Sequence, residues 1–425
     1  MDKLWKESTI AVQGCYTPKN TEPRVLPLDM STTYKYDSCD ELARVFDLEQ
    51  DTCMYTRLAN PTTIAFEQKI AAMEGGVGAL ATSSGMAATM IAIMNILKAG
   101  DSFLASSTIY GGSFTLFNTT FKNMGIEAIM FDPDISAEDI IALAKPNTKA
   151  IFGETIGNPL VNVIDFDKFA LVAKTLDVPF IVDNTFATPI LCKPLGLGAD
   201  IVIHSTSKYI DGHATALGGI IVDGGKFNWA NGKFPDLVEP DESYHGISYV
   251  KAFGESAFIV KARAQLMRNT GMTPSPFNSY ITNLGCETLH LRMERHSENA
   301  LKIAQYLKNH EKCAWVKYPG LEGDKYYGLA MKYLPEGQSG VLSFGVKGGR
   351  EASKTFIDSL RLAALVTHVA DVRTCVLQPA TTTHRQLSEA ELKECGVSAD
   401  MIRLSVGIED INDIIADFEQ AFAKV

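Results

Sequence analysis

Short apolar runs alternate with amphipathic stretches between about residue 80 and residue 223. Such runs predict buried strands, whereas apolar residues at spacings of three and four predict helices that pack on a sheet. Strands that alternate with helices favour an α/β fold, a mostly parallel sheet with helices on its faces. The predicted strands cover residues 102–106, 128–131, 150–153, 179–183, 200–204 and 217–222, and the predicted helices cover 86–97, 114–124, 137–144 and 166–176.

The flanking segments have different patterns. Residues 1–60 lack sustained periodicity, which predicts an extended arm, and residues 224–254 have the Gly, Asn and Pro content of a long loop. A helical pattern from 289 towards 307 precedes predicted strands at 341–346 and 401–406 and a helix at 411–422. A chain of 425 residues exceeds one ordinary core. We therefore expect an arm over residues 1–60, a ligand-binding domain over 61–265 and a smaller C-terminal α/β domain over 266–425.

Composition narrows the class of protein. A net charge of -11 with no basic cluster argues against a nucleic-acid partner. The apolar stretch at 87–97 is too short to cross a membrane, and the first residues lack the apolar core of a secretion signal. The eight cysteines form no C-x-x-C pair, so we expect reduced thiols and a cytoplasmic protein. No metal-binding H-E-x-x-H or hydrolase G-x-S-x-G motif occurs, and we expect no metal site.

Lys208 and Asp183 lie at the carboxyl ends of two neighbouring predicted strands. Lys208 comes after the apolar run 201–203 and the hydroxyl side chains of residues 205–207, and Asp183 ends the run 179–182. Ligands of open α/β sheets lie outside the carboxyl ends of the strands. A lysine there can form a Schiff base with pyridoxal phosphate, and an aspartate can pair with its pyridine nitrogen. Alternatively, Lys208 is an ordinary surface lysine and Asp183 is a helix cap or turn residue. Their positions at the ends of neighbouring predicted strands disfavour this interpretation.

A candidate phosphate site lies at residues 82–88, where Ser84, Gly85 and Met86 lead into a predicted helix. Free N–H groups at the start of a helix bind anions, although an ordinary serine cap would have the same sequence. The glycine-rich residues 75–78 follow a predicted helix rather than a strand, so we do not interpret them as a dinucleotide site.

Four further residues have two interpretations each. Tyr110 could stack on a planar cofactor ring or belong to the core. Tyr55 and Arg57 could act in binding, although an exposed arginine is unremarkable. Arg403 lies within an apolar predicted strand, where its charge requires a partner. That partner could be the carboxylate of a substrate or a structural acidic residue.

Together these segments resemble the Cys/Met-metabolism family of pyridoxal-phosphate enzymes, which includes cystathionine γ-synthases and methionine γ-lyases. The similar segments span nearly the whole chain and are residues 55–62, 84–87, 110–112, 183–185, 205–209 and 403–410. The resemblance implies the aspartate-aminotransferase fold (fold type I), pyridoxal 5'-phosphate as cofactor, and a homodimer with shared active sites that pairs into a homotetramer.

The resemblance also implies roles for individual residues. Lys208 would bond to the cofactor and then move protons, assisted by Tyr110, and Arg403 would bind the substrate carboxylate together with Asn158 and Tyr55. The implied cofactor-binding residues are Lys208, Asp183, Tyr110, Gly85, Met86, Ser205, Ser207, Thr185 and Asn158, joined by Tyr55 and Arg57 of a neighbouring subunit.

Within the family, Gly112 and the insert at 227–246 resemble the sulfhydrylase branch, because methionine γ-lyases typically have cysteine at the position of Gly112. This branch implies γ-replacement on O-acetylhomoserine by sulfide or methanethiol, which yields homocysteine or methionine and acetate. A γ-lyase, a cystathionine γ-synthase and a catalytically silent scaffold are the alternatives. Gln378 and His368 depart from the family pattern, in which histidine and asparagine or serine are usual, and they leave the preferred thiol open.

Overall fold

The computed structural model of the protein describes residues 5–50, 52–382, 385 and 396–425. Within these residues two sheets are present, one of seven strands and one of five. The large sheet consists of β1 (Gly78–Thr82), β2 (Ser102–Ser106), β3 (Glu127–Phe131), β4 (Thr148–Glu154), β5 (Phe180–Asp183), β6 (Ile201–His204) and β7 (Gly219–Asp223). The small sheet consists of β8 (Cys313–Lys317), β9 (Val341–Val346), β10 (Ala364–Leu365), β11 (Cys375–Leu377) and β12 (Met401–Ser405).

The strands of the large sheet have the order β1-β7-β6-β5-β4-β2-β3, and β7 runs in the opposite direction to the other six. Successive residues contribute to different cores: Val182 and Val202 to one, Ile181 and Ile203 to the other. Both faces of the sheet are therefore covered, which explains why its strands are continuous apolar runs. The predicted α/β fold with a mostly parallel sheet is confirmed.

Helices of at least seven residues cover both sheets and confirm most of the predicted ones. They are Glu7–Gln13, Cys39–Phe46, Pro61–Glu74, Gly85–Met94, Ala137–Leu143, Phe166–Leu176, Pro276–Glu287, Leu289–Asn309, Tyr327–Tyr333, Gly349–Ser359 and Ile411–Phe422. Shorter α-helical segments are Gly111–Thr115, Thr188–Leu191, Pro235–Val238, Tyr249–Phe253, Ala257–Lys261 and Arg268–Thr270. Two π-helical segments, Leu116–Phe121 and Ala262–Met267, and 3₁₀ turns at Pro194–Gly196, Glu242–Tyr244, Gly254–Ser256 and Pro379–Thr381 complete the list.

Several predictions require correction. Residues 1–60 are not uniformly extended, because Glu7–Gln13 and Cys39–Phe46 are helical. The helix predicted over 114–124 changes to π-helical geometry at Leu116, where Phe117 and Phe121 stack with ring centroids 5.8 Å apart. Strand β1 was missed because its Gly-Ala-Leu-Ala-Thr sequence lacks the β-branched and aromatic residues that are typical of strands.

The second sheet lies next to the first, and Arg403 of β12 donates a hydrogen bond to Asn158, which follows β4. Gly75 ends the helix Pro61–Glu74 in a left-handed conformation, so the glycine-rich segment is a helix end, as expected. Among the described residues no helix is both long and apolar enough to cross a membrane. The limits of the arm and of the two domains, at residues 60 and 265, stay predictions.

Candidate active site

A cavity of about 350 Å³ opens at the carboxyl ends of β4, β5 and β6. The large sheet and the loops that follow its strands supply most of its wall, and the segment around residue 368 and strand β12 close the other side. The lining residues include Ser84, Gly85, Met86, Tyr110, Glu154, Asn158, Asp183, Thr185, Ser205, Ser207, Lys208, His368 and Arg403. The structure thus brings together nine of the predicted cofactor-binding residues, along with Arg403.

Lys208 projects into this cavity from the turn that follows β6. The turn is held against the start of β7 because the Thr206 N–H donates to the Gly218 carbonyl at 3.0 Å. Burial and the positive charge of Arg403 lower the pKa of Lys208 to about 8. The amine is therefore still mostly protonated at pH 7 but loses its proton far more readily than an ordinary lysine, and the neutral form is the nucleophile.

Two carboxyl groups lie beside each other at the strand ends. Glu154 of β4 pairs in register with Asp183 of β5, and its Oε1 accepts the N–H of Tyr110 at 2.7 Å. Burial raises the pKa of Asp183. Burial and the charge of Asp183 together raise the pKa of Glu154 well above its usual value. One of the two is favoured as a neutral acid, and a cation beside Asp183 would stabilise its charge.

The predicted phosphate site is the start of the helix Gly85–Met94. Ser84 caps this helix by accepting the Ala87 N–H at 3.1 Å, and the first N–H groups of a helix have no partner within it. A Cβ atom on Gly85 would lie 2.6 Å from the Cβ of Ser205, so only glycine allows this close approach of the helix to the loop after β6. The result is a concave surface of N–H groups and hydroxyls that suits a phosphate.

The hydroxyl side chains around this surface have defined partners. Thr185 Oγ1 accepts the N–H of Ser205 at 2.8 Å, which links the ends of β5 and β6. Ser207 Oγ donates to the Gly218 carbonyl at 3.2 Å and accepts the Gly218 N–H at 3.0 Å. Ser207 therefore shapes the turn that carries Lys208 in addition to lining the cavity.

Arg403 is 6% exposed and has no acidic partner within 4.0 Å among the described residues. Its guanidinium donates to Asn158 Oδ1 at 3.3 Å and to the carbonyl oxygen of His368 at 3.1 Å. Burial lowers the pKa of Arg403, yet a guanidinium stays charged. The sequence left open a structural acidic residue as the partner of Arg403, and the described part of the chain provides none. A buried guanidinium without such a partner suits the carboxylate of a ligand.

Tyr110 lies at the mouth of the cavity and is 47% exposed, so it is not a core residue. Its ring packs over Gly112, where any Cβ atom would overlap Cε1 of the ring. The absence of a side chain at Gly112 therefore fixes where the tyrosine ring can lie.

Tyr55 and Arg57 lie outside the cavity of their own chain. The Arg57 guanidinium lies 5.3 Å from the centroid of the Tyr55 ring and donates a hydrogen bond to the carbonyl of Arg268. Their predicted role in a neighbouring subunit stays a prediction.

Two titratable residues of the cavity wall were not assigned a role from the sequence. Glu154 directly follows the predicted strand at 150–153, and this position at the carboxyl end of a strand could have predicted that it lies in the site. His368 was noted only as a departure, but its Nδ1 lies 3.3 Å from Lys208 Nζ. The other departure, Gln378, is buried away from the cavity, and its amide donates to the carbonyls of Arg350 and Ala399.

These residues fit pyridoxal phosphate. The cavity holds a buried amine of lowered pKa, a carboxylate, a helix start that only glycine permits and an arginine with no acidic partner among the described residues. Fold and site together therefore define an α/β enzyme of the pyridoxal-phosphate-dependent class.

Comparisons with known proteins identify the family. Residues 8–423 match the model of the Cys/Met metabolism PLP-dependent enzymes, and the chain belongs to this family. It is 45% identical to an O-acetyl-L-homoserine sulfhydrylase of Leptospira meyeri over 100% of this chain and 98% of the relative. It is also 45% identical to a homocysteine synthase of Schizosaccharomyces pombe over 94% of each chain.

The solved structures agree. A candidate O-acetylhomoserine (thiol)-lyase of Campylobacter jejuni, crystallised with N'-pyridoxyl-lysine-5'-monophosphate, has a TM-score of 0.95 and 36% identity over 99% of this chain and 100% of its own. The metB protein of Corynebacterium glutamicum has a TM-score of 0.85 and 34% identity over 99% and 98%. The predicted family, fold and cofactor are confirmed.

Proposed function

We propose that the protein catalyses γ-replacement on O-acetyl-L-homoserine, in which sulfide displaces acetate and L-homocysteine is formed. The observation that carries this proposal is the buried Arg403, which has no acidic partner in the described residues and lies in the same cavity as the Lys208 amine. An α-amino acid matches this pair, because its carboxylate suits the arginine and its Cα proton needs a base. The names of the full-length relatives support the choice of substrate.

Each residue has a proposed task. Lys208 would hold the cofactor through Nζ, and its free amine would be the base that removes the proton from Cα of the substrate. Pyridoxal phosphate, when bound, acts as an electron sink for the charge left at Cα. Asp183 stabilises the protonated pyridine nitrogen, and the helix start at Gly85 and Met86, with Ser205, Ser207 and Thr185, holds the phosphate.

The remaining residues orient the substrate. Arg403 and Asn158 hold its carboxylate, which directs the side chain of the substrate towards the mouth of the cavity. Tyr110 covers the cofactor ring and is the residue at the mouth that can pass a proton towards the leaving acetate.

A product assay with an adduct map tests the proposal. Purified enzyme, O-acetylhomoserine and sulfide should give homocysteine and acetate, and Lys208→Ala should give none. Borohydride reduction followed by peptide mass mapping should place the cofactor on Lys208. Lys261 is an internal control, because its pKa is also lowered to about 8 by burial although it lies outside the cavity.

Three results would contradict the proposal. They are 2-oxobutanoate and ammonia as the main products with sulfide present, equal homocysteine formation by wild type and Lys208→Ala, or an adduct on Lys261. Sulfide, methanethiol and cysteine compared as nucleophiles would identify the preferred thiol.

We also propose that Tyr55 and Arg57 complete the phosphate site of a second copy in a homodimer, with two dimers forming a tetramer. Their position outside their own cavity supports this arrangement. Mixed dimers of Arg57→Ala chains and Lys208→Ala chains test it, because one intact site should form per mixed dimer. Activity absent from both parent variants should reappear on mixing, and its absence would contradict a shared site. The cytoplasmic location stays a prediction.

A further inference from the structure

His368 is the side chain in contact with the amine of Lys208. Its Nδ1 lies 3.3 Å from Nζ, and this is the one hydrogen bond that Nζ makes among the described residues. The imidazole is 25% exposed and borders the cavity. The amine is thus held by a group that can itself accept a proton.

The carboxylate of Asp371 lies on the opposite side of the imidazole. Its Oδ2 lies 3.6 Å from His368 Nε2, which is buried and has no hydrogen-bond partner among the described residues. The other oxygen, Oδ1, accepts the N–H of Arg373 at 2.7 Å, so the aspartate is fixed in place. A carboxylate at this position favours the proton on Nε2 and leaves the lone pair of Nδ1 directed towards Lys208.

The charges that face His368 come from several segments. Burial lowers the pKa of His368, and the charges of Lys208 and Arg403 act in the same direction, whereas Asp371 and Asp211 raise it. The thiol of Cys375 donates to the His368 carbonyl oxygen, 3.6 Å away, rather than to the ring. The imidazole is therefore mostly neutral at pH 7, which is the state that accepts a proton.

We propose that His368, with the Asp371 carboxylate beside Nε2, takes up the proton which Lys208 must lose before its amine can bond to pyridoxal phosphate. The proton moves from Nζ to Nδ1. The lone pair of Nζ then bonds to the aldehyde carbon of the cofactor, and the two protons that remain on the nitrogen leave with the aldehyde oxygen as water. This inference rests on the proposed role of Lys208.

Cofactor uptake by the apoprotein tests the inference without any substrate. Apoprotein is mixed with pyridoxal phosphate, and the visible absorbance of the lysine-linked cofactor is followed by stopped flow from neutral to alkaline pH. His368→Asn keeps a polar side chain but cannot take up the proton. Its uptake should be about 3- to 10-fold slower at neutral pH, the equivalent of one hydrogen bond. The difference should disappear at alkaline pH, where the amine is already neutral.

His245→Asn is the matched control. His245 Nε2 lies 3.6 Å from Asp47 Oδ1, the same separation as in the His368–Asp371 pair, but its side chain is 88% exposed and lies outside the cavity. The His245→Asn apoprotein should take up pyridoxal phosphate at the rate of the wild type at every pH. Asp371→Asn provides a second variant that keeps the ring, and it should show the same pH-dependent slowing to a smaller extent.

The outcomes separate the possible roles. Slowing of His368→Asn by one factor at all pH values would indicate a packing role and overturn the inference, as would uptake equal to that of the wild type. If circular dichroism shows that His368→Asn does not fold, an unchanged pH dependence in Asp371→Asn overturns it. Linked-cofactor absorbance in Lys208→Ala would instead contradict the role of Lys208, and absence of homocysteine in the substrate assay would contradict the proposed function alone.

Discussion

Glu154 and Asp183 lie opposite one another at the carboxyl ends of two adjacent parallel strands. Burial raises the pKa of both carboxyl groups, and the charge of Asp183 adds to the rise at Glu154. Two neighbouring carboxyl groups resist simultaneous ionisation. The cofactor nitrogen should therefore pair with Asp183 while Glu154 stays protonated and holds the Tyr110 backbone.

This arrangement predicts that two isosteric substitutions affect the activity to very different extents. Glu154→Gln keeps an uncharged group that can accept the Tyr110 N–H, so activity should stay within about threefold of the wild type. Asp183→Asn removes the charge, and turnover should fall by about 10²- to 10³-fold, a loss comparable to that of one catalytic electrostatic group. Homocysteine formation and cofactor affinity measured for both variants check the assignment, which fails if Glu154→Gln is the more damaged one.

Substitution of Arg403 by lysine should impair substrate binding. Lysine keeps the positive charge but loses the planar pair of donors that grips a carboxylate. We expect KM for O-acetylhomoserine to rise about 10- to 100-fold, the equivalent of one or two charge-assisted hydrogen bonds.

Arg292→Lys is the matched control for this change. Arg292 is also buried, but its guanidinium donates to the carbonyls of Tyr209 and Gly285 outside the cavity. The control should lower the melting temperature and leave KM unchanged. An unchanged KM in Arg403→Lys would exclude the carboxylate role.

Gly112→Ala should displace the ring of Tyr110, because the new Cβ atom would overlap it. Turnover should fall by about tenfold, within the range of one misplaced proton-transfer group. Gly328→Ala introduces the same methyl group where no atom beyond the adjoining helix backbone and chain neighbours lies within 4 Å, and it should leave turnover unaltered. Equal activity of the two variants would show that the position of the ring is not critical.

Asp200 should make stability depend on pH. Burial raises the pKa of Asp200 from 3.8 to about 6, although Oδ2 accepts the Phe180 N–H at 2.9 Å. The folded state therefore binds this proton more tightly than the unfolded state, and the contribution of Asp200 to the free energy of unfolding declines as the pH rises from about 4 to about 6. The decline should be on the order of 2–3 kcal/mol.

Denaturant unfolding of Asp200→Asn at several pH values measures this contribution. The amide keeps an acceptor for the Phe180 N–H but cannot ionise, so the decline between pH 4 and pH 6 should become shallower. The same slope in the variant and the wild type would assign the decline to other groups.

Much of the fold could be predicted because the large sheet is covered on both faces, so most of its strands appear as uninterrupted apolar runs. Strand β2, β9 and the helices Phe166–Leu176 and Ile411–Phe422 were predicted to the residue. Strand β1 was not predicted, because it is built mostly of small residues. The π-helical segment at Leu116–Phe121 was not predicted, because it depends on aromatic packing with β2.

The site could be predicted in part for a similar reason. Asp183 and Lys208 follow adjacent apolar strands, and adjacent parallel strands end at the same edge of a sheet. The contact between His368 and Lys208 joins residues 160 positions apart. No local pattern encodes such a distance, so this contact required the tertiary structure.

Arg403, which donates a hydrogen bond to Asn158, is synthesised well after Lys208. During synthesis Lys208 leaves the ribosome roughly 200 residues before Arg403, an interval of about 10 to 40 seconds at common elongation rates. A nascent chain could acquire the reactive amine before the arginine that selects an amino acid is present. Carboxylate recognition is therefore the last part of this site to be built, and a chain truncated before β12 should retain an aldehyde-reactive lysine without substrate selectivity.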